Sequence, residues 1–140
     1  MIYSNHMQIP CADIFDKLSI LELKRRRLPN DKLLMKQYEA YRDEKNRLMN
    51  NLSFDDRNLA TQYYDELSNL NTSIWNIENE IREGGEKHIP LEEIGRRALK
   101  VRNYNGMRTI IKNKLSILFN QELYKEVKID HVSENMFKNY

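Results

Sequence analysis

A long apolar seam in the middle of the chain is the feature that most restricts its fold. Six apolar residues recur there at alternating intervals of four and three: Tyr63, Leu67, Leu70, Ile74, Ile77 and Ile81. This spacing lines up apolar side chains along one stripe of a helix, and it is the a/d pattern by which helices pair. Ser53 and Asp56 resemble a capping box at its start, and Gly84 with Gly85 ends it. A helix over residues 54–82 would be ~43 Å long at 1.5 Å per residue, so it needs a partner helix.

Two shorter helices are predicted before this seam. The first runs from about Ala12 to Arg27, and its stripe is Ile14, Leu18, Leu21 and Leu28. Either Asn30 or Asp31 can cap the second. The second helix carries a row of larger apolar and aromatic side chains: Leu34, Tyr38, Tyr41, Leu48 and Leu52.

A fourth helix is predicted from Pro90 to about Asn120. Asn105 and Gly106 form a turn signal inside it, but the apolar stripe continues across them, which favours one helix that is kinked at most. The chain has only 4 Gly and 3 Pro, too few for a turn-rich β-protein. We therefore predict an all-α, antiparallel four-helix arrangement with two long helices. It forms a single domain over 1–132, with short extended segments at both ends, a short strand within 124–132 and a flexible tail over 133–140.

Charge and composition exclude several classes of protein. Basic and acidic residues number 23 and 21, so the net charge of +2 argues against a dedicated nucleic-acid-binding protein. A mean hydropathy of −0.79 with no long apolar run argues against a membrane protein. The single cysteine, Cys11, favours a reducing compartment, so we expect a cytoplasmic protein. The three histidines stand apart from one another, and no metal or cofactor is predicted.

Polar residues interrupt the apolar stripe of the fourth helix. Asn105, Arg108 and Lys112 fall on the same face as the apolar residues on either side of them. An unpaired buried charge costs several kcal/mol, so these groups need carboxylates, a ligand or water.

The first and third helices offer partners for these groups. The third helix carries a second stripe of Asn71, Trp75, Glu78 and Arg82, and the first carries Lys17, Glu22, Lys24 and Arg25. If these faces meet, five cations face only Glu22 and Glu78, and the surplus predicts an anionic ligand; the five are Lys17, Arg25, Arg82, Arg108 and Lys112. The predicted site consists of nine residues: Lys17, Glu22, Arg25, Trp75, Glu78, Arg82, Asn105, Arg108 and Lys112.

Two functions fit this pattern. In the first, the protein binds a phosphorylated or carboxylated small molecule, clamped by Arg82, Arg108 and Lys112. Trp75 would form one side of that pocket, and Glu78 would orient the cations in it. The alternative is a structural or protein-interaction module in which the same residues form an internal ion-pair network. Whether the chain is an enzyme stays open, because no Ser, Cys or His is set beside a base.

Two further expectations concern metals and partners. Asp13 with Asp16 and Glu80 with Glu83 have the i, i+3 spacing of magnesium-binding carboxylates, but no second acidic pair follows the latter. The structural or ligand-binding interpretations are therefore favoured over a metal site. Apolar Ile20 and Leu23 lie opposite the main stripe of the first helix, and together with the exposed length of the third helix they predict a homodimer.

Three segments resemble an uncharacterised family of bacterial and phage helical proteins. They are IFDKLSILELK from Ile14, IWNIENEIR from Ile74 and RNYNGMRTIIKN from Arg102. The family carries comparable DK-T-ILE-K, LW-IE-IR and ND-R-LK-IN motifs in the same order, and the likeness covers about residues 9–130. The resemblance implies a helical fold and a set of polar positions, but no reaction. Those positions are Asp16, Lys17, Glu22, Lys24, Trp75, Glu78, Glu80, Arg82, Asn105, Arg108, Lys112 and Asn113. Gly106 and Asn79 replace acids common in the family.

Overall fold

The computed structural model describes residues 8–82 and 89–125, which form four α-helices. These are α1 (Cys11–Arg27), α2 (Lys32–Asn50), α3 (Phe54–Glu80) and α4 (Leu91–Leu118), followed by a short 3-10 helix at Glu122–Tyr124. The described residues contain no strand, and the predicted all-α class is confirmed. The predicted strand lies almost entirely outside the described residues, as do the tail and most of the N-terminal segment.

The helix ends follow the capping chemistry of the sequence. Asp31 caps α2 by accepting a hydrogen bond from the Leu34 amide at 3.0 Å, and Ser53 caps α3 by accepting one from the Asp56 amide at 3.2 Å. The fourth helix is continuous through Asn105 and Gly106. Gly106 is buried there, so a residue that weakens an exposed helix is accommodated by packing.

The apolar core lies where α1, α3 and α4 meet. Phe15 of α1 is fully buried and packs edge-to-face on Tyr64, with ring centroids 6.2 Å apart, and against Phe119 at 5.5 Å. Its neighbours include Leu67 of α3 and Ile111 of α4, which are also fully buried. Helix α1 is therefore the central element, and it contacts each of the other three helices.

Polar contacts fix how α3 and α4 run. Arg97 pairs with Glu80 near the start of α4, and Arg108 bonds to Asn71 farther along it. As the residue number increases along α4, the number of the contacted residue on α3 decreases. These two helices therefore run in opposite directions. The antiparallel arrangement of all four helices stays a prediction. Among the described residues, no helix has both the length and the apolar character needed to cross a membrane.

Candidate functional site

A buried group of hydrogen-bonded side chains joins α1, α3 and α4. Asn71 of α3 is at its centre, and its Nδ2 donates to Asp16 Oδ1 at 2.9 Å and to Ser19 Oγ at 2.6 Å. The Ser19 hydroxyl in turn donates to the Asp16 carbonyl oxygen at 2.7 Å. All three residues are buried, so each hydrogen bond satisfies a group that water cannot reach.

Two cations from α4 complete this group. Arg108 Nη1 donates to Asn71 Oδ1 at 2.9 Å, and Arg108 Nε lies 3.9 Å from Asp16 Oδ1. Lys112 Nζ lies 2.8 Å from Asp13 Oδ1 and 4.0 Å from Asp16 Oδ2. We call the six residues the polar core cluster: Asp13, Asp16, Ser19, Asn71, Arg108 and Lys112. Its two cations meet two carboxylates, so it contains no surplus of charge.

The partners of Arg108 and Lys112 differ from those that the helical pattern suggested. Glu78 is exposed on α3 and makes no ion pair with either cation. Asp13 and Asp16 take that place, because Asp16 lies on the buried side of α1. The pattern correctly identified the polar interior of α4 but assigned it the wrong carboxylates.

The remaining predicted residues do not join this cluster. Lys17 is exposed on α1, and Arg82 is exposed and donates to Asn79 Oδ1 at 2.8 Å. The half-buried Trp75 lies with its ring centre 5.9 Å from Arg27 Cζ, and its indole N–H has no hydrogen-bond partner among the described residues. Asn105 is half-buried, and its carbonyl accepts a hydrogen bond from Thr109. The structure therefore does not bring all nine predicted residues together in one pocket.

Glu22 instead lines a second site, where α1 meets α2 and α3, and Arg25 lies beside it and bonds to Glu22. A cleft of about 330 Å³ opens there, and we call it the α1–α2–α3 cleft. Its lining is mostly polar and comes from all three helices: Leu18, Ser19, Glu22, Leu23, Arg26, Tyr38, Arg42, Lys45, Tyr64, Asp65, Ser68 and Thr72. Of the nine predicted residues, only Glu22 lines it.

Glu22 is held in a fixed position on one wall of the cleft. Its Oε1 accepts from Arg25 Nη2 at 3.3 Å and from Arg26 Nη2 at 3.4 Å, and the Tyr38 hydroxyl also hydrogen-bonds to this carboxylate. The Arg25 guanidinium lies 4.4 Å from the centre of the Tyr38 ring, and that of Arg42 lies 5.8 Å from it. Burial, and then the bond to Glu22, raise the pKa of Tyr38. This phenol is therefore neutral at physiological pH and donates its proton to the carboxylate.

Lys45 forms another wall of the cleft. Its ammonium lies 3.8 Å from the centre of the Tyr64 ring, the geometry of a cation–π contact. Burial lowers the pKa of Lys45, while the charges of Asp65 and Glu22 act in the opposite direction. Burial also raises the pKa of Tyr64 to about 12. Both shifts indicate a partly dehydrated surface, where a charge interacts more strongly with a ligand than it does in water.

The cleft therefore combines charge with hydrogen-bonding groups. Arg26, Arg42 and Lys45 face two carboxylates, Glu22 and Asp65. Sequence reasoning missed Arg42, Lys45 and Asp65. Tyr38, Arg42 and Lys45 follow one another at spacings of four and three, so a search for a mixed aromatic and cationic stripe on the second helix would have found them. No group of three or more His, Cys, Asp or Glu that could hold a metal ion occurs within 8–82 and 89–125.

Comparisons with family models, with curated proteins and with solved structures gave no match. The resemblance to the helical bacterial and phage family stays a prediction, and the functional argument depends on the geometry alone.

Proposed function

We propose that this protein binds a phosphorylated or carboxylated small molecule in the α1–α2–α3 cleft. The observation that carries the proposal is the convergence of Arg26, Arg42 and Lys45, from two helices, on one partly buried cavity. Guanidinium groups bind phosphate and carboxylate oxygens in a bidentate manner, and an ammonium acts as a point charge beside them. A volume of about 330 Å³ is within the range of small-molecule sites.

The cations of the cleft are available to a ligand. Arg42 pairs with its exposed chain neighbour Asp43 at 3.1 Å, and Arg26 reaches Glu22 only at 3.4 Å and is itself exposed. Exposed ion pairs of this kind contribute roughly 0–1 kcal/mol, so a ligand oxyanion can replace them at low cost. The fixed carboxylate of Glu22 supplies an acceptor for a hydroxyl or amino group of the ligand.

A second candidate is a structural or protein-interaction module, and the polar core cluster favours it. Arg108 and Lys112 already have Asp16 and Asp13 as partners, so their charges stabilise helix packing and are not directed at a ligand. The two candidates use different cations, and substitutions therefore separate them.

Calorimetric titration and thermal shift test the proposal. The probes are inorganic phosphate, glucose 6-phosphate, AMP and succinate. We expect at least one to bind and to raise the Tm, and we expect Lys45→Met and Arg42→Met each to weaken that binding by about tenfold or more, the loss of one charged hydrogen bond. Lys36→Met is the matched control, because Lys36 is exposed on the same helix and does not line the cleft. Binding by none of the four probes, or equal binding by the Lys45→Met variant, would contradict the proposal.

The setting of the protein is also part of this proposal. The buried thiol of Cys11 supports a reducing compartment, and we propose a cytoplasmic location. The apolar seam of α3 supports self-association through long helices, as in a coiled coil or a homodimer.

A further inference from the structure

The paired ends of α3 and α4 extend beyond the packed body of the protein. The last buried residue of α3 is Ile74, and the first buried residue of α4 is Gly106. Helix α1 ends near this level, since Arg27 lies beside Trp75. We call residues 76–82 and 91–103 the helical arm. No residue of the arm is fully buried.

The arm exposes apolar surface that its two helices cannot cover by themselves. Ile77 and Ile81 continue the α3 seam, and Ile94 and Val101 lie on the facing helix, yet all four are only half-buried. Leu99 is 48% exposed and Leu91 is 84% exposed. An isolated pair of amphipathic helices leaves one side of its seam in water, and a bundle of four covers it.

Charges already paired within the arm fix its helices to each other. Arg97 of α4 bonds to Glu80 of α3 at 2.7 Å, and Arg97 and Arg96 both bond to Glu93. The hydrogen bonds from Arg97 and Arg96 to Glu93 hold the pKa of this carboxyl below its ordinary value. A groove of about 460 Å³ lies between the helices at this level, with Ile77 as its apolar residue.

Two other charges of the arm have no ion-pair partner among the described residues. They are Glu78 on α3 and Arg102 on α4, and both are exposed. Lys100 lies on another side of α4, where it lines the groove between the two helices. The anion and the cation belong to different helices of the same arm. In a dimer with a two-fold axis, the same surface of both copies forms the interface. Such an axis can place the α3 side of one arm against the α4 side of the other.

We propose that two copies of this chain associate through their helical arms and form an intermolecular four-helix bundle. The half-buried isoleucines form its apolar seam, and Glu78 of each copy faces Arg102 of the other. Every such contact occurs twice, because the axis relates i to j and j to i. This interface uses the end of the third helix, as the sequence suggested, but not Ile20 and Leu23, which are half-buried on α1.

Charge reversal tests this arrangement by light scattering and analytical ultracentrifugation. We expect the wild-type chain to be a dimer at tens of micromolar. Glu78→Lys, and separately Arg102→Glu, should each be monomeric because like charges then face each other across the axis. Mixed in equal amounts, these two variants should form a heterodimer, since every opposed pair again has opposite charges.

Controls separate this interface from a folding defect and from other surfaces. All the altered side chains are exposed, so circular dichroism should show unchanged helix content in each variant. Lys32→Glu on α2 is the control for charge, because Lys32 is exposed outside the arm. A wild-type monomer at tens of micromolar would overturn the proposal. It would also be overturned by a dimer that survives both reversals, or by reversed variants that do not recombine.

Discussion

Replacing Asn71 by leucine is the sharpest test of how the helices are held together. The two side chains have the same branched arrangement of heavy atoms, so the change removes hydrogen bonds while largely keeping the shape of the side chain. In the wild-type structure the amide bonds Asp16 at 2.9 Å, Ser19 at 2.6 Å and Arg108 at 2.9 Å. Leucine removes all three hydrogen bonds, of which two join α3 to α1 and one joins α3 to α4.

The expected loss follows from the kinds of bond removed. Two of them involve a charged group, each contributing about 1.5–3 kcal/mol, and the bond to the Ser19 hydroxyl contributes about 0.5–1.5 kcal/mol. Asp16 keeps a distant contact with Lys112, and Ser19 still donates to a carbonyl oxygen, so the full sum is not lost. The partial compensation and the gain in apolar burial leave a destabilisation of about 3–5 kcal/mol. This is a large fraction of the roughly 5–15 kcal/mol that holds a domain folded.

Urea unfolding followed by circular dichroism measures this loss. With a slope of about 2 kcal/mol/M, the midpoint should fall by about 1.5–2.5 M, the value of ΔΔG divided by the slope. Asn69→Leu on the exposed side of the same helix is the matched control and should change stability by less than about 0.5 kcal/mol. A loss below about 1 kcal/mol for Asn71→Leu would show that the cluster does not connect the helices as described.

Two further outcomes follow from the same geometry. Arg108→Met should destabilise the protein by only about 1–2 kcal/mol in urea unfolding. This is less than the ~3–5 kcal/mol of a buried charge left without a partner, because Asp16 keeps its contacts with Asn71 and Lys112. The same variant should leave anion binding in the α1–α2–α3 cleft unchanged, and a loss of binding would instead place the ligand at α4. The pKa of Tyr64 is raised to about 12, so between pH 10 and 12 the folded state keeps a proton that the unfolded state loses, and stability falls as the pH rises through this window. At a pH of about 11 this loss is up to ~1.4 kcal/mol, at 1.36 kcal/mol per unit. Relative to Tyr64→Phe, the wild-type chain should lose that much more stability between pH about 9 and about 11, and parallel pH profiles would contradict this origin of the shift.

The helices were predictable because local chemistry and packing agree in them. The seam of α3 and its cap at Ser53 depend on neighbours in the sequence, and the structure places α3 at Phe54–Glu80. The continuity of α4 depended on a choice between a turn signal at Asn105 and Gly106 and an unbroken apolar stripe. The stripe prevailed, since burying it gains more than the helix loses at one glycine.

The site was less predictable, because a helical pattern gives the face of a residue but not its neighbour. Arg108 and Lys112 fall on a buried face of α4, but the level at which α1 crosses α4 decides that they meet Asp16 and Asp13. Periodicity contains no information on that crossing level. Lys45 was missed for a different reason. Its long stem and the ring of Tyr64 bury the ammonium in part, whereas its position in the sequence is that of an ordinary exposed lysine.

Depth of burial decides where a surplus of charge can exist in this protein. A deeply buried cation without a carboxylate costs several kcal/mol, so the interior has to be matched, and Lys112, only 12% exposed, has Asp13 at 2.8 Å. A partly open cleft has no such requirement, because water and mobile ions screen the excess until a ligand replaces them. The cations in the polar stripe of α4 are largely buried and have internal partners, which is why we propose the anion site elsewhere. The cations able to hold a ligand are those left on a half-exposed surface, and Arg26, Arg42 and Lys45 of the α1–α2–α3 cleft meet that condition.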